Sequence, residues 1–372
     1  MAKRILITGG AGFVGSHVAD ELLERGYQVR ALDNLSEQVH GPRAGRPAYL
    51  ASEVELMIGD VRDPDVVHRA LANVDAVFHF AAAVGVGQSM YRVAEYVDVN
   101  CVGTSTLLEA LAERPVERLI VASSMSVYGE GLCTRADGST CEHAGRSAAQ
   151  LHLGEWEPRD PNGSPLDPAP TPEAKAPALE SVYALSKYAQ ERLCLMIGAS
   201  YGVPTVALRF FNIYGTRQAL SNPYTGVLAI FATRLLNERR PLVYEDGQQR
   251  RDFVSVKDVA RACRLALESR DAPGEVLNIG SGEARSIEQV AVDLAVALGK
   301  PQIRPELTGE YRVGDIRHCY ANIDRARRVL GFEPQVSFAD GLVELSGWLD
   351  AQVAVDRVAQ ARRELATRGL TI

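Results

Sequence analysis

"RILITGGAGFVGSH" joins a short apolar run to a helical pattern through Gly9, Gly10, Gly12 and Gly15. The last three keep G-x-G-x-x-G spacing after a strand and before a helix, which leaves few folds open. The glycines permit a tight turn and a close backbone approach. The helix N-terminus then faces any anion lying in the loop. The next apolar run, "YQVRALDN", ends on Asp33. A carboxylate at the tip of a second strand accepts hydrogen bonds from a ribose 2′-hydroxyl and repels a 2′-phosphate. The pattern therefore predicts a site for NAD in preference to NADP.

"VELMIGD", "DAVFHFAA" and "RLIVASS" continue the alternation, each apolar on both faces as strands of a covered parallel sheet must be. "SHVADELLERG" and "VGTSTLLEALAE" carry apolar residues at helical spacing, and "TVALRFFNIYG" and "EVLNIGSG" supply two more strands. The expected class is α/β: a Rossmann-type doubly wound parallel sheet with a smaller, discontinuous C-terminal substrate domain. Residues 1–207 and 251–281 are expected to form the dinucleotide-binding unit, with 208–250 and 282–350 forming the substrate unit. Residues 351–372 read as a charged helix or tail that frays or docks weakly. Residues 129–180, rich in Gly, Pro and charge, break the rhythm and read as an irregular insertion, functional or mobile.

Composition excludes other classes. The hydrophobic share of 46% and charged share of 23% are those of a globular protein, and a net charge of -7 offers no face to nucleic acid. No apolar run approaches the roughly 18 residues of a membrane span, and the apolar stretch of "MAKRILITGG" is too short for a signal peptide. A cytoplasmic protein without membrane or nucleic-acid partners is expected. Cys101, Cys133, Cys141, Cys194, Cys263 and Cys319 form no CxxC pair and read as reduced thiols.

"SVYALSKYAQ" sets Tyr183 one helical turn before Lys187, and "ASSMSVYG" ends the fifth strand on Ser124. Ligands of open α/β sheets sit beyond the carboxyl ends of strands, so these side chains are expected to meet there. A free phenol, with a pKa of about 10, is a poor base at neutral pH. Lys187 and a positive nicotinamide ring are expected to lower it by about three units, roughly 4 kcal/mol of differential stabilisation.

From about residue 3 to about residue 350 the chain resembles the extended short-chain dehydrogenase/reductases, in their nucleotide-sugar epimerase/dehydratase branch. "TGGAGFVG", "GDV", "FHFAA", "VNCVGT", "SSMSVYG", "SVYALSK", "RFFNIYG", "RRDFVSVKDVA" and "RVGDIRHCYANID" carry the resemblance in order. It implies a catalytic triad of Ser124, Tyr183 and Lys187, with NAD held tightly and recycled. The cofactor would be lined by Gly9, Gly12, Phe13, Val14, Gly15, Asp33, Asn34, Asp60, Val61, Phe80, Ala81 and Ala82, with Asn100 in a helix behind the triad. Asn212, Arg251 and Arg312 would bind the nucleotide diphosphate, Asp315 would pair with that group or the ribose, and Leu242 and Tyr244 would bracket the base. Cys319 holds the place of the family's gatekeeper and reads equally as a buried thiol. His79 is expected to be structural.

Dehydratases of the family carry Asp and Glu where this chain has Met125 and Ser126, which favours epimerisation at C4. The insertion and "SVYALSKYAQERLC" are similar to those of bacterial dTDP-L-rhamnose 4-epimerases. Relatives often carry cysteine pairs there. Only Cys133, Cys141 and His143 remain here, and no metal is expected. The alternatives are a UDP-glucose or UDP-N-acetylglucosamine 4-epimerase and, more distantly, an inactive NAD-binding regulator. The helices at "VGTSTLLEALAE" and "SVYALSKYAQERLCLMIG" are expected to pair in a homodimer.

Overall fold

A computed structural model describes residues 2–42, 45–141, 144–312 and 314–371. Its centre is a seven-stranded parallel sheet of β1 (Arg4–Thr8), β2 (Gln28–Asp33), β3 (Glu55–Ile58), β4 (Ala76–His79), β5 (Arg118–Ser124), β6 (Thr205–Phe210) and β7 (Val276–Ile279). The spatial order is β3-β2-β1-β4-β5-β6-β7, so the direction of winding reverses between β1 and β4. A crevice opens at that reversal, beyond the carboxyl ends of the strands.

Alternation along β1 explains why the strands look apolar throughout. Ile5 and Ile7 point into one core and Leu6 into another, on the opposite face of the sheet. The first face is covered by α1 (Phe13–Glu24), through Val18 and Leu22. The second takes α2 (Gly103–Glu113) and α3 (Val182–Tyr201), through Leu107, Leu111 and Cys194. Helix α4 (Val256–Glu268) joins α1 on the first face through Val259 and Cys263.

A second core lies apart from the sheet. Leu228 and Phe231 of the helix Val227–Leu236 meet Leu294 of Ile287–Ala297 and Leu342 and Leu345 of Phe338–Leu349. Arg250–Arg251 is the middle strand of a small sheet, antiparallel to Arg285–Ser286 and parallel to His318–Cys319.

The insertion has more structure than its composition suggests. Cys133–Thr134 pairs antiparallel with both Thr140–Cys141 and Asp167–Pro168, closing a three-stranded sheet over Cys133, Cys141 and Leu166. Strands of two residues are too short to show a period, which is why the sequence reads as irregular there. All six cysteines are free thiols, and His143 lies outside the described residues. Among the described residues, no cluster of His, Cys, Asp or Glu is arranged to hold a metal, and no helix is long and apolar enough to cross a membrane. The C-terminal helix Val358–Ala366 docks rather than frays, burying Ala361 and Leu365.

Candidate active site

At the crevice, the loop after β1 is held by contacts that only glycine allows. Gly9 has a positive φ of 71°, and a Cβ there would lie 2.9 Å from the Ala81 nitrogen. One on Gly15 would lie 2.3 Å from the Gly9 oxygen. Gly12 caps α1 without a side-chain partner, so the first N–H groups of the helix, at Phe13 and Val14, face outward uncapped. A Cβ on Gly12 would meet only the Gly9 oxygen, at 3.3 Å. The cradle thus offers a helix N-terminus at close backbone approach, which fits a pyrophosphate.

Asp33 ends β2 beside this loop, fixed by the amides of Ala11 at 3.0 Å and Leu35 at 2.9 Å. Each carboxylate oxygen accepts one of those bonds and keeps capacity for a ribose hydroxyl. Asn34 donates to Asp60 at 3.1 Å, and the Arg62 guanidinium beside Asp60 holds its carboxyl well below the usual range. Val61 is buried against the position of Gly103. On the other side, the Thr8 hydroxyl accepts from the amides of Phe80 and Ala81, each at 3.2 Å, and so fixes the segment leading to Ala82. These residues fit NAD.

Helix α3 starts at Ser181, whose hydroxyl accepts the Ala184 amide at 3.1 Å. The Tyr183 ring stands edge-on to Tyr96, with centroids 6.4 Å apart, and its amide donates to the Ser89 hydroxyl at 3.0 Å. Ser124 accepts the Ser126 amide at 3.1 Å and shares a second contact of that length with the Ser126 hydroxyl. The expected cation–phenol tuning is not what these side chains do by themselves. Burial pushes the Tyr183 phenol up, and the hydrogen-bonded Ser124 hydroxyl offsets part of that. Lys187 donates to Gln190 at 2.6 Å, and its own pKa is drawn down to about 8 by burial. Four-residue spacing sets the two residues on one helix face, and loss of water governs the titration of each.

Behind the triad, Asn100 lies in a π-helical turn, Asp98–Val102. Its side chain accepts the Ala83 amide at 2.7 Å and donates to the Ala83 carbonyl at 3.1 Å and to Ser186 at 2.9 Å. His79 is fully buried between the hydroxyls of Thr8 and Thr104, each 2.8 Å away, and burial holds its pKa down to about 3. The residue is neutral and structural.

Sequence reasoning missed Glu191, one turn beyond Lys187. Glu191 accepts two bonds from Arg209 of β6, at 2.9 and 2.7 Å, and one from Ser123 of β5 at 2.7 Å. The signal was present in the four-residue spacing of Tyr183, Lys187 and Glu191 along one helix face.

Toward the second core, the Asn212 side-chain oxygen is buried without a hydrogen-bond partner among the described residues, as a ligand-binding group would be. Arg312 lies over the Tyr244 ring at 4.8 Å and pairs with Asp315 at 2.8 Å. Arg251 lies 3.9 Å from Asp315, its guanidinium donating to the carbonyls of Arg250, Ile316 and Arg317. Leu242 begins a short strand paired parallel with Glu306–Leu307. Cys319 is buried with Met125 and Val127, its thiol 3.8 Å from the Thr171 hydroxyl and pushed up to about 12 by burial.

A second missed group is an ion network. Arg146 of the insertion reaches Glu130 at 3.0 Å, Glu245 at 2.6 Å and the Asp315 carbonyl at 2.7 Å. Fully buried Arg317 binds Glu245 at 2.8 Å, Asp246 at 2.6 Å and Glu157 at 2.6 Å.

Two measurements test this interior. Glu191→Gln leaves Arg209 buried without a countercharge and is expected to cost about 3–5 kcal/mol in denaturant unfolding; a loss under about 1 kcal/mol would contradict the clamp. His79 is protonated in the unfolded chain below its ordinary pKa and stays neutral in the fold until about pH 3. Stability should therefore fall as pH drops through that window, by at most about 1.4 kcal/mol per pH unit for this residue. His79→Asn should show a shallower acid slope.

The surroundings agree with what comparison finds. A profile of the NAD dependent epimerase/dehydratase family matches residues 5–280. A dTDP-L-rhamnose 4-epimerase of Burkholderia thailandensis is 36% identical, covering 93% of this chain and 95% of that relative. The UDP-glucose 4-epimerase of Thermotoga maritima, solved with UDP-glucose, superimposes with a TM-score of 0.76 at 30% identity, covering 93% of this chain and 98% of that one. That of Thermus thermophilus, solved with NAD, gives 0.74 at 31% identity, covering 94% of this chain and 100% of that one. The chain is an enzyme of the NAD-dependent epimerase/dehydratase family, an extended short-chain dehydrogenase/reductase whose cofactor is NAD.

Proposed function

We propose that the chain is a nucleotide-sugar 4-epimerase acting on dTDP-L-rhamnose and forming dTDP-6-deoxy-L-talose. The observation that carries the reaction type is the pair after Ser124. Met125 is buried in an apolar cluster, and Ser126 is engaged with Ser124. Neither can move a proton at C5 or C6, so Tyr183 stands as the single acid–base group of the site. The likeness to the Burkholderia enzyme supports the choice of sugar.

Bound NAD supplies the reversible hydride acceptor for C4 and a positive ring that draws the phenol down against the effect of burial. Tyr183 takes the proton of the sugar 4-hydroxyl. Ser124 donates a hydrogen bond to the same oxygen and steadies it as it becomes a carbonyl. Arg312 and Arg251 hold the diphosphate, and the unpaired side-chain oxygen of Asn212 accepts from a hydroxyl or N–H of the same nucleotide sugar. The sugar turns about that anchor. With the hydride restored to the other face of C4, Tyr183 returns its proton to the oxygen, giving the C4 epimer.

Tyr183→Phe is expected to lower turnover by about 10²- to 10⁴-fold while bound NAD is retained. Near-normal activity would remove Tyr183 from the role of base. The product assay is NMR of the C4 stereochemistry on dTDP-L-rhamnose, UDP-glucose and UDP-N-acetylglucosamine. Epimerisation without net NADH is expected for the first; turnover confined to a UDP-sugar would replace the substrate reading.

The assembly we propose is a homodimer paired through α2 and α3. Val97, Val102, Leu185 and Met196 are exposed apolar side chains on or next to these helices. Sedimentation should give twice the chain mass, and Leu185→Glu with Met196→Glu should return the monomer.

A further inference from the structure

The C-terminal segment does something that its composition does not advertise. Leu365 and Leu370 line one small cavity together with Val86, Met90, Arg312 and Asp315. Two of these partners belong to the expected diphosphate anchor. The other two belong to the segment that follows β4, in which Ser89 accepts the amide of Tyr183. A sugar whose 4-hydroxyl meets Tyr183 and whose diphosphate meets Arg312 must lie between those groups. The cavity beside Arg312 and Asp315 takes its apolar side chains from Val86, Met90, Leu365 and Leu370, so half of them come from the tail.

The tail is seated by specific contacts. Glu364 accepts from the hydroxyls of Tyr91 at 2.9 Å and Tyr224 at 2.8 Å. Arg368 lies over the Tyr91 ring at 4.3 Å, Arg362 pairs with Glu310, and Thr371 bridges antiparallel to Arg312 itself. Leu365 would lie 3.3 Å from a Cβ on Gly87, so the approach there is close. Before this docked part, Asp356 is held by Arg234 at 3.3 Å and Arg239 at 2.8 Å, while Val353 is 95% exposed. The chain is thus pinned at one point and hooked again at its end.

We propose that residues 358–371 form the outer wall of the substrate site, and that Leu365 and Leu370 are substrate-contacting residues that favour a 6-deoxy sugar. The inference rests on the nucleotide-sugar reading above. An apolar wall accepts a C6 methyl without leaving a polar group unpaired, whereas a C6 carboxylate turned toward Leu365 and Leu370 would lose its water and meet no hydrogen-bond donor on those side chains. To admit substrate, the segment must release Glu364 from the two tyrosines and close again afterwards.

Hydrogen exchange on the full NAD-loaded chain reads this without turnover. Saturating dTDP-L-rhamnose should slow exchange across 358–371, and dTDP alone should do so less. Leu365→Ser with Leu370→Ser should raise KM for the sugar nucleotide at least about tenfold, with bound NAD unchanged. Glu364→Gln, which keeps the side-chain size, should raise KM in the same direction and let NADH accumulate as the keto sugar escapes. Protection at 358–371 without epimerisation would sink the function and leave this inference standing. Epimerisation with no protection and a KM within twofold of the parent in all variants would overturn it. A lower KM in the variants would also overturn it, because the tail would then be a plug.

Discussion

Glu191 takes three hydrogen bonds in the interior, two from the Arg209 guanidinium and one from the Ser123 hydroxyl. Everything the site does depends on that contact. Glu191 belongs to the helix that carries Tyr183 and Lys187, while Ser123 precedes Ser124 on β5 and Arg209 belongs to the neighbouring strand. The pair therefore locks the helix of the proposed triad to the two strands that end beside it. Arg209 also lies over the Tyr128 ring at 4.8 Å, which ties the turn after Ser124 into the same unit. A buried ion pair of this kind is weak evidence of added stability. Its value is in fixing one arrangement, because the helix cannot slide by a turn without leaving a charge unpaired.

A second layer extends the same logic to neutral groups. Gln190 receives the Lys187 ammonium and donates to Thr104, and His79 bridges Thr104 to Thr8, the residue that also fixes the amides of Phe80 and Ala81. Lysine, helix, strand and cofactor-lining loop are joined through hydrogen bonds that exclude water. The chain needs His79 neutral: a charged ring could not accept at one nitrogen while donating at the other.

The parts of this design visible in sequence were those with a period or a spacing. The doubly wound parallel sheet followed from strand–helix alternation, and the glycine turn after its first strand from spacing. Lys187 shares the helix face expected of it and donates to Gln190, a contact that spacing does not reveal, because spacing says where side chains emerge and nothing about how dry the site is. Glu191 stands at the next step of the same spacing, where an acid on a helix carries no mark of burial. The small sheet around Cys133 and Cys141 left no mark, since its strands are too short to alternate. The tail was misread for a related reason. Its charges suggested solvent, yet Glu364, Arg362 and Arg368 all find partners on the body of the protein, and the leucines between them decide where it lies.

The insertion presents the same physics at larger scale. Arg146 and Arg317 stand between four carboxylates, Glu130, Glu157, Glu245 and Asp246, and Arg317 is wholly buried. Taking so many charges from water is costly, and the return in stability is small. Geometry is the better account. Glu245 adopts a positive φ of 53°, a strained conformation for a side-chain-bearing residue, and both of its carboxylate oxygens are held by the two arginines. The residue before it is Tyr244, under Arg312, and Arg146 also grips the carbonyl of Asp315. The insertion thus reaches across to hold the turn that carries Arg312 and Asp315, the proposed diphosphate anchor. A segment whose composition reads as loop is, by its charges, fixed to the turns around Tyr244 and Asp315.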